Sequence, residues 1–136
     1  MSIGQKVSHA ALAVIVGLPG LLAVPSNQAE ARGRGGATTS ESCLPGSLKS
    51  RLAQVRKKFG SISVVSTHRP GATINGSGRT SYHASCRAVD FVPPSGAYRK
   101  VTNWLYANHE GGVGTYTCMN HIHIDNGPNV RWSKCR

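Results

Sequence analysis

Two histidines and one aspartate alternate with isoleucines near the C-terminal end of the chain, in the order His121, Ile122, His123, Ile124, Asp125. In a β-strand successive side chains point to opposite faces, so the histidines and the aspartate share one face and the isoleucines the other. The β-branched isoleucines favour a strand and would fix it to a core. Two imidazoles beside a carboxylate suit a metal site or an acid–base site, although a single His-x-His also occurs on ordinary half-buried strands.

A second cluster of the same residue types lies upstream. His83 and Asp90 are separated by six residues, and Asp90 is surrounded by small and apolar residues. A buried carboxylate without a partner is costly, and coordination of a metal removes that cost, as a salt bridge or a cap also would. The chain therefore contains two groups of potential metal ligands.

Together these motifs resemble the family of zinc D-alanyl-D-alanine carboxypeptidases and murein endopeptidases, of which the hedgehog signalling domain is a distant structural relative. The resemblance covers residues 64–132 and rests on four segments in the family's order: Ser66-x-x-Arg69, His83-x6-Asp90, the glycine-rich residues 111–116, and His121-x-His123 with the residues 125–128 that follow it. It implies that His83, Asp90 and His123 are the ligands of a catalytic Zn²⁺, with a fourth position open.

The resemblance also implies roles for residues around the metal. His121 is similar to the first histidine of the His-x-His in the murein endopeptidase branch, and is our candidate for proton transfer or transition-state stabilisation. Arg69 resembles the family arginine that binds a substrate carboxylate, for which a planar guanidinium is suited. Ser81 resembles a family serine near the substrate. Asp125 either orients an imidazole or is a turn-forming aspartate.

One position departs from the family pattern. Many relatives have Glu or Asp three residues before the last zinc histidine, where this chain has Asn120, whose amide cannot take a proton. The identity of the general base is therefore open. We expect Tyr116 to lie either in the cleft or in the core, and His68 and His109 to lie on the surface.

Helices and strands that would position these residues can be predicted from the sequence pattern. Leucine, valine and phenylalanine at helical spacing predict an amphipathic helix from Ser47 to Phe59, whose basic face is either solvated or binds an anionic wall. We predict strands over residues 61–66, 88–92, 111–116 and 120–125, a second helix over 98–108, and a loop over 67–80. The expected fold is a single α+β domain, with an antiparallel sheet flanked by two or three helices and zinc in a surface cleft.

The start of the chain has the features of a secretory signal peptide. Lys6 and His9 precede an apolar run over residues 10–24, which is shorter than the roughly 20 residues that a bilayer requires and is interrupted by glycine and proline. An Ala-x-Ala pattern then ends at Ala31. We predict a signal peptide over 1–31, a disordered lead-in over 32–42 and the zinc peptidase-like domain over 43–136; an uncleaved membrane anchor is the alternative. The mature chain would be exported to the periplasm or cell wall, or secreted.

The chain is strongly basic, with a net charge of +11, and it keeps that charge after loss of the predicted signal peptide. Such a charge predicts attraction to polyanions, which for an exported protein means the anionic cell envelope. Nucleic acid is an alternative partner, but the sequence contains no helix-turn-helix signature and no interleaved basic and aromatic stripe. The family resemblance implies peptidoglycan or muropeptides as substrate. A module that keeps zinc for its shape and binds the wall through its basic face is the rival interpretation.

Four cysteines lie in the predicted mature part: Cys43, Cys86, Cys118 and Cys135. None forms a Cys-x-x-Cys pair, which argues against a zinc ribbon or a thioredoxin-type site. An even number in a small exported domain predicts two disulfides, for which three pairings exist. We favour Cys43 with Cys135, which would join the termini, and Cys86 with Cys118, which would brace the site.

Overall fold

The computed structural model describes residues 36–135, so the predicted signal peptide and the first part of the lead-in lie outside the described residues. Two helices and five strands follow one another, with a 3-10 turn, Tyr82–Ser85, between the first two strands. In chain order the elements are α1 (Gly46–Phe59), β1 (Ser63–Ser66), β2 (Ala88–Val92), α2 (Tyr98–Asn108), β3 (Val113–Tyr116), β4 (His121–Asp125) and β5 (Arg131–Ser133). The α+β class predicted from the sequence is confirmed.

The five strands form one sheet in the order β1-β2-β4-β3-β5. The first three neighbouring pairs are antiparallel, whereas β5 runs parallel to β3 at the edge. The expectation of a wholly antiparallel sheet is therefore wrong at this edge. The chain reverses its direction between β3 and β4 and again over residues 126–130, so β5 points the same way as β3.

The two helices cover one face of the sheet. The helical spacing of Leu48, Leu52 and Val55 puts these three side chains on the buried side of α1, and α2 buries Val101 and Leu105 in the same way. They pack against the apolar face of the central strands: Val89, Phe91, Val113, Ile122 and Ile124. Full burial of one such side chain contributes about 1.5–3 kcal/mol, so this interface fixes the position of the sheet.

The other face carries one row of residues across all five strands. Ser66 in β1 is paired with Asp90 in β2, and Asp90 is paired with His123 in β4. His123 is paired in turn with Gly114 in β3, and Gly114 with Trp132 in β5. Because side chains alternate along each strand, the isoleucines that point into the core require His123 to be in this row.

We expected the domain to begin near Cys43, but residues upstream of Cys43 also contact it. Thr67, which follows β1, donates its backbone N–H and its hydroxyl to the carbonyl of Thr38, at 2.6 and 3.0 Å, and its hydroxyl also contacts the carbonyl of Ser40 at 2.8 Å. Thr38 donates its own N–H to the carbonyl of His68 at 2.9 Å. Residues 38–40 therefore form part of the domain and lie beside the end of β1.

Two disulfides are present, but their pairing differs from the one we favoured: Cys43 is bonded to Cys86, and Cys118 to Cys135. The Cα–Cα distances are 5.9 and 5.3 Å, within the usual range for a disulfide. Cys43 precedes α1 and lies beside the end of the 3-10 turn, whereas Cys135 follows β5 and lies beside the turn between β3 and β4. No helix within residues 36–135 is both long and apolar enough to cross a membrane.

Candidate active site

Three predicted metal ligands converge on the polar face of the sheet. Asp90 contacts His123 Nδ1 through Oδ1 at 2.8 Å and His83 Nε2 through Oδ2 at 3.2 Å. The two imidazole nitrogens are themselves 3.2 Å apart. His83, Asp90 and His123 are all buried, and one potential ligand atom of each lies within 4.8 Å of the others. Residues from a turn, β2 and β4 therefore meet at one point.

The outer nitrogen of each imidazole is fixed by a hydrogen bond, and this decides which nitrogen carries a lone pair toward the centre. His83 donates Nδ1–H to the carbonyl of Thr67 at 2.7 Å, so its Nε2 is the free acceptor. His123 donates Nε2–H to Asp125 Oδ2 at 3.0 Å, so its Nδ1 is the free acceptor. Two lone pairs and the Asp90 carboxylate consequently face one another.

Such an arrangement requires a cation, because three acceptors at these distances repel one another unless a proton or a metal lies between them. Two imidazole nitrogens and one carboxylate oxygen form a ligand set that zinc binds in catalytic sites. The outer hydrogen bonds of both imidazoles are those expected of metal-binding histidines, which donate their second N–H to a carbonyl or a carboxylate. The residues present therefore fit a zinc ion.

The electrostatics of the cluster agree with this geometry. Burial alone would raise the pKa of Asp90, but the hydrogen bonds and charges of His123 and His83 lower it far below its ordinary range. Burial likewise acts to lower the pKa of His123, yet the carboxylates of Asp125 and Asp90 raise it overall. The surroundings of His123 thus favour a proton, and any metal must compete with that proton.

Local backbone structure fixes the position of His83. Ser81 precedes the 3-10 turn, and its hydroxyl accepts the backbone N–H of His83 at 3.3 Å. The turn ends at Cys86, whose φ of 55° is left-handed and whose side chain is disulfide-bonded. The carbonyl of His83 also accepts the N–H of Arg69 at 2.9 Å. Ser81, predicted to bind substrate, therefore caps the turn that carries a metal-ligand candidate.

Asp125 makes hydrogen bonds that fit both of the alternatives left open by the sequence. Its Oδ2 accepts the N–H of His123, while its Oδ1 accepts the backbone N–H groups of Gly112 and Gly127 at 3.1 and 2.7 Å. A Cβ atom at Gly112 would lie 2.5 Å from Asp125 Oδ2, so only glycine permits this approach. Burial opposes ionisation, but His123 and the two N–H groups lower the pKa of Asp125. Asp125 is thus an ionised turn residue that also orients His123.

Arg69 lies at the edge of the cluster, and not all of its N–H donors have an acceptor among residues 36–135. Its Nη2 is 3.6 Å from Asp90 Oδ2, and the side chain is 42% exposed. Its Nε is buried and has no hydrogen-bond partner among residues 36–135. The side chain is nevertheless accessible in part, and the planar set of donors of a guanidinium suits a carboxylate or a similar anionic group.

His121 lies on the same face of β4 as His123 but belongs to a different set of contacts. Its ring is 4.6 Å from the ring of Tyr116, and its carbonyl accepts the hydroxyl of Tyr98 at 3.2 Å. Burial lowers the pKa of His121, and the attraction of Asp90 only partly offsets this effect. His121 is therefore neutral near pH 7 and half-exposed, so its ring is accessible to a molecule outside the chain. Tyr116, for which cleft and core were both open, is half-buried beside it.

Asn120, the position that departs from the family pattern, lies in the turn before β4. It is exposed and has a φ of 51°, a left-handed conformation that asparagine tolerates better than most residues. The turn geometry thus gives a local reason for asparagine here. Asp90 and Asp125 supply the carboxylates that contact His83 and His123.

Sequence reasoning missed several contacts around the site. Ser66 is buried and donates its hydroxyl to Asp90 Oδ2 at 3.0 Å, and it stands in the Ser-x-x-Arg motif from which we assigned only the arginine. His109, predicted to lie on the surface, is instead 8% exposed and donates Nε2–H to the carbonyl of Asp125 at 2.8 Å. That prediction is wrong because the burial of His109 comes from residues distant in sequence. His68 is half-buried, and its Nε2 contacts the carbonyl of Ala84 at 3.1 Å.

Comparisons with known proteins agree with this geometry. Over 57 residues the chain is 37% identical to the probable peptidoglycan L,D-endopeptidase MepK of Haemophilus influenzae, a match that covers 42% of this chain and 31% of that protein. The matched stretch therefore spans less than a third of the relative's length. No solved structure matches the chain. The Peptidase M15 family matches residues 27–125, which include the whole ligand cluster and most of the sheet. The chain belongs to the M15 peptidase family.

Proposed function

We propose that this protein is a zinc-dependent peptidase that hydrolyses a peptide bond in the stem peptides or cross-links of peptidoglycan. The observation that carries the proposal is the convergence of three acceptors from His83, Asp90 and His123, with both imidazole tautomers fixed from outside. These residues would hold the zinc ion. When bound, zinc supplies Lewis acidity, which polarises a carbonyl group and makes water more acidic.

The surrounding residues would bind substrate and move protons. Half-exposed and neutral, His121 takes a proton from the attacking water and later returns one to the leaving amine. Arg69 binds a carboxylate of the substrate through its free donors. Asp125 keeps His123 in the tautomer whose Nδ1 faces the centre, and Ser81 keeps the turn of His83 in place. The general base is assigned to His121 because Asn120 has no basic group.

The substrate class follows from two features. The matched stretch of an endopeptidase named for peptidoglycan supports a peptidoglycan substrate, and Arg69 supports a free carboxylate near the scissile bond. A terminal D-alanine provides such a group, and so does a diaminopimelate centre in a cross-link. Carboxypeptidase and endopeptidase activity, each with D,D or L,D specificity, therefore remain to be distinguished by their products. An exported location, in the periplasm or cell wall, accords with the predicted signal peptide and the two disulfides.

A second candidate is a non-catalytic module that keeps zinc for its shape and binds the cell wall. Asn120 favours it, since no acidic residue stands three positions before His123. The basic residues of α1 favour it too, because Lys49, Lys57 and Lys58 are exposed on the helical side of the domain. This module would bind the anionic envelope without turnover.

Turnover separates the two candidates. Muropeptides, cross-linked and uncross-linked, are incubated with the zinc-loaded protein with and without a chelator, and the products are identified by mass spectrometry. Products that disappear with the chelator are expected for the peptidase, and their masses name the bond. A folded, zinc-containing protein that gives no products would favour the binding module.

Two histidine variants test the assigned roles against each other. We expect His123→Ala to lose zinc and activity together, because it removes a ligand. His121→Ala is expected to retain zinc and to lose turnover, because proton transfer typically contributes about 10²–10⁴-fold to rate. Full turnover by zinc-loaded His121→Ala would show that another group handles the proton.

A further inference from the structure

Trp132, on the edge strand β5, contacts the imidazole of His123. The two ring centroids are 5.2 Å apart and the ring planes are inclined by 52°. Trp132 is paired with Gly114, which is in turn the partner of His123 across the β3–β4 ladder. A Cβ atom at Gly114 would overlap the Cε2 and Cζ2 atoms of the indole. The missing side chain at Gly114 is therefore what lets the indole lie against His123.

The strand that carries Trp132 is short but is anchored on both sides. β5 has three residues and pairs only with β3, in parallel, which by itself is a weak attachment. On one side the guanidinium of Arg131 donates to four backbone carbonyls at 2.6 to 3.2 Å: that of its neighbour Val130 and those of His109, Gly111 and Tyr106. On the other side the disulfide of Cys135 joins the end of the strand to the β3–β4 turn. The position of β5, and with it that of the indole, is consequently fixed relative to β3.

The imidazole of His123 is held at both ring nitrogens, by Asp125 at Nε2 and by Asp90 at Nδ1, but a hydrogen bond at a ring nitrogen does not contact the face of the ring. The Nε2–H bond to Asp125 sets the direction of one nitrogen, but the terminal torsion of histidine has a broad energy minimum. His83 meets the ring at its edge, with centroids 5.0 Å apart and planes inclined by 65°. The indole of Trp132 supplies the remaining contact.

We propose that Trp132 is a positioning residue of the metal centre, which fixes the plane of the His123 imidazole so that Nδ1 stays directed at His83 and Asp90. The inference rests on the proposed function, because it requires His123 to be a metal ligand. Of the three ligand candidates, His123 is the one whose ring Trp132 meets. Its effect is therefore expected on the affinity and geometry of the metal, through His123.

The chain provides a matched control for this residue. Trp104, on α2, packs against Phe59 with ring centroids 5.9 Å apart, and the guanidinium of Arg51 lies 5.3 Å from its ring. It is half-buried like Trp132 but lies in the helical layer, on the other side of the sheet. Loss of its indole removes a similar amount of packing without touching His123.

Co²⁺ is the probe, because its absorption spectrum reports both affinity and ligand geometry. We expect Trp132→Leu to weaken Co²⁺ binding about 10- to 100-fold, the effect typical of losing a group that orients a metal-binding residue. Trp132→Phe, which keeps a flat ring, should recover most of the affinity and the wild-type spectrum. Trp104→Leu should lower the thermal stability of the metal-free protein but leave the Co²⁺ affinity and spectrum unchanged.

Gly114→Ala supplies an independent test, since it displaces the indole without altering it and also serves if Trp132→Leu does not fold. It should weaken Co²⁺ binding as Trp132→Leu does. The double variant should be no weaker than Trp132→Leu alone, because both changes act through one contact. Additive losses, or an unchanged affinity and spectrum in Trp132→Leu, would overturn the proposal.

The same titration separates this proposal from the proposed function. If the wild type binds Co²⁺ and cleaves muropeptides, and Trp132→Leu does both equally well, only the role of Trp132 is refuted. If the wild type binds no Co²⁺, the metal centre itself is refuted and the role of Trp132 with it.

Discussion

Replacement of Asp125 by asparagine changes one atom of the site and tests its central argument. Three N–H groups converge on the Asp125 carboxylate: those of His123, Gly112 and Gly127, at 3.0, 3.1 and 2.7 Å. A carboxylate accepts all three, whereas an amide offers one acceptor oxygen and two donors. Asp125→Asn must therefore place a donor against a donor, whichever way the amide is turned.

Each orientation of the amide has a different cost. If its oxygen stays with Gly112 and Gly127, its NH₂ group faces His123 Nε2, and the imidazole keeps a hydrogen bond only by moving its proton to Nδ1. That proton occupies the atom directed at His83 and Asp90. If the amide turns over, two backbone donors lose their acceptor, at about 1–3 kcal/mol for each buried group. The first orientation costs metal affinity and the second costs stability.

The expected loss of metal affinity is about 10- to 100-fold, as for other groups that orient a metal-binding histidine. This range corresponds to about 1.4–2.7 kcal/mol at 1.4 kcal/mol per tenfold change. Competition of the protein with a chromophoric chelator for Zn²⁺ measures it directly. Glu110→Gln is the matched control, because it removes the same charge from an exposed position. Unchanged zinc affinity in Asp125→Asn would refute the tautomer argument.

The pH dependence gives the same variant a second readout. The pKa of His123 is raised above its ordinary value of 6.5, so in the metal-free protein it contributes stability that is complete below pH 6.5 and is lost as the pH rises through its pKa. The pKa of Asp125 is lowered from 3.8, so its contribution is present above pH 3.8 and is lost as the pH falls through its pKa. Metal-free Asp125→Asn should therefore lose most stability, relative to wild type, between about pH 4 and 6.5 in denaturant titrations.

Three further predictions concern the surroundings of the cluster. Ser66→Ala should lower the unfolding free energy of the metal-free protein by about 1.5–3 kcal/mol, because it removes the buried hydrogen bond to the ionised Asp90; Ser66→Thr, which keeps the hydroxyl, is the control in the same denaturant titration. Burial lowers the pKa of His109, so below pH 6.5 the unfolded chain binds a proton that the folded one resists, and stability falls. His109→Gln should lose less stability than wild type between pH 7 and pH 5, and an equal loss would contradict its burial as a neutral group. Replacing Cys118 and Cys135 together by serine should cost about 3 kcal/mol for a loop of this length and should weaken zinc binding as well; stability lost without any change in zinc affinity would show that β5 does not depend on this bond.

The local sequence pattern was sufficient to predict β2, α2 and β4, two of which carry ligand candidates. The bounds of β2 and α2 were predicted as the structure has them, and those of β4 to within one residue, because each is a run of alternating or helically spaced apolar residues limited by prolines, glycines or turns. The family resemblance then named His83, Asp90 and His123 in advance, and the structure brings these three residues together.

What the sequence did not reveal depends on contacts between distant residues. β5 has three residues without alternation, and its pairing with β3 depends on Arg131 and the nearby disulfide. His109 is buried because Asp125 and Arg131 surround it, and nothing in its own neighbourhood indicates that. The disulfide pairing depends on where the 3-10 turn and the end of β5 lie, which four spaced cysteines cannot specify.

The row of residues across the sheet has a consequence for misfolding. Each of the five strands contributes one member, so a slip of any strand by a single residue would exchange its two faces. A slipped β4 would bury His121 and His123 among the core leucines and expose Ile122 and Ile124 to water. The apolar core and the cluster of His83, Asp90 and His123 therefore penalise the same register errors, because these three side chains meet only when β2 and β4 are correctly aligned.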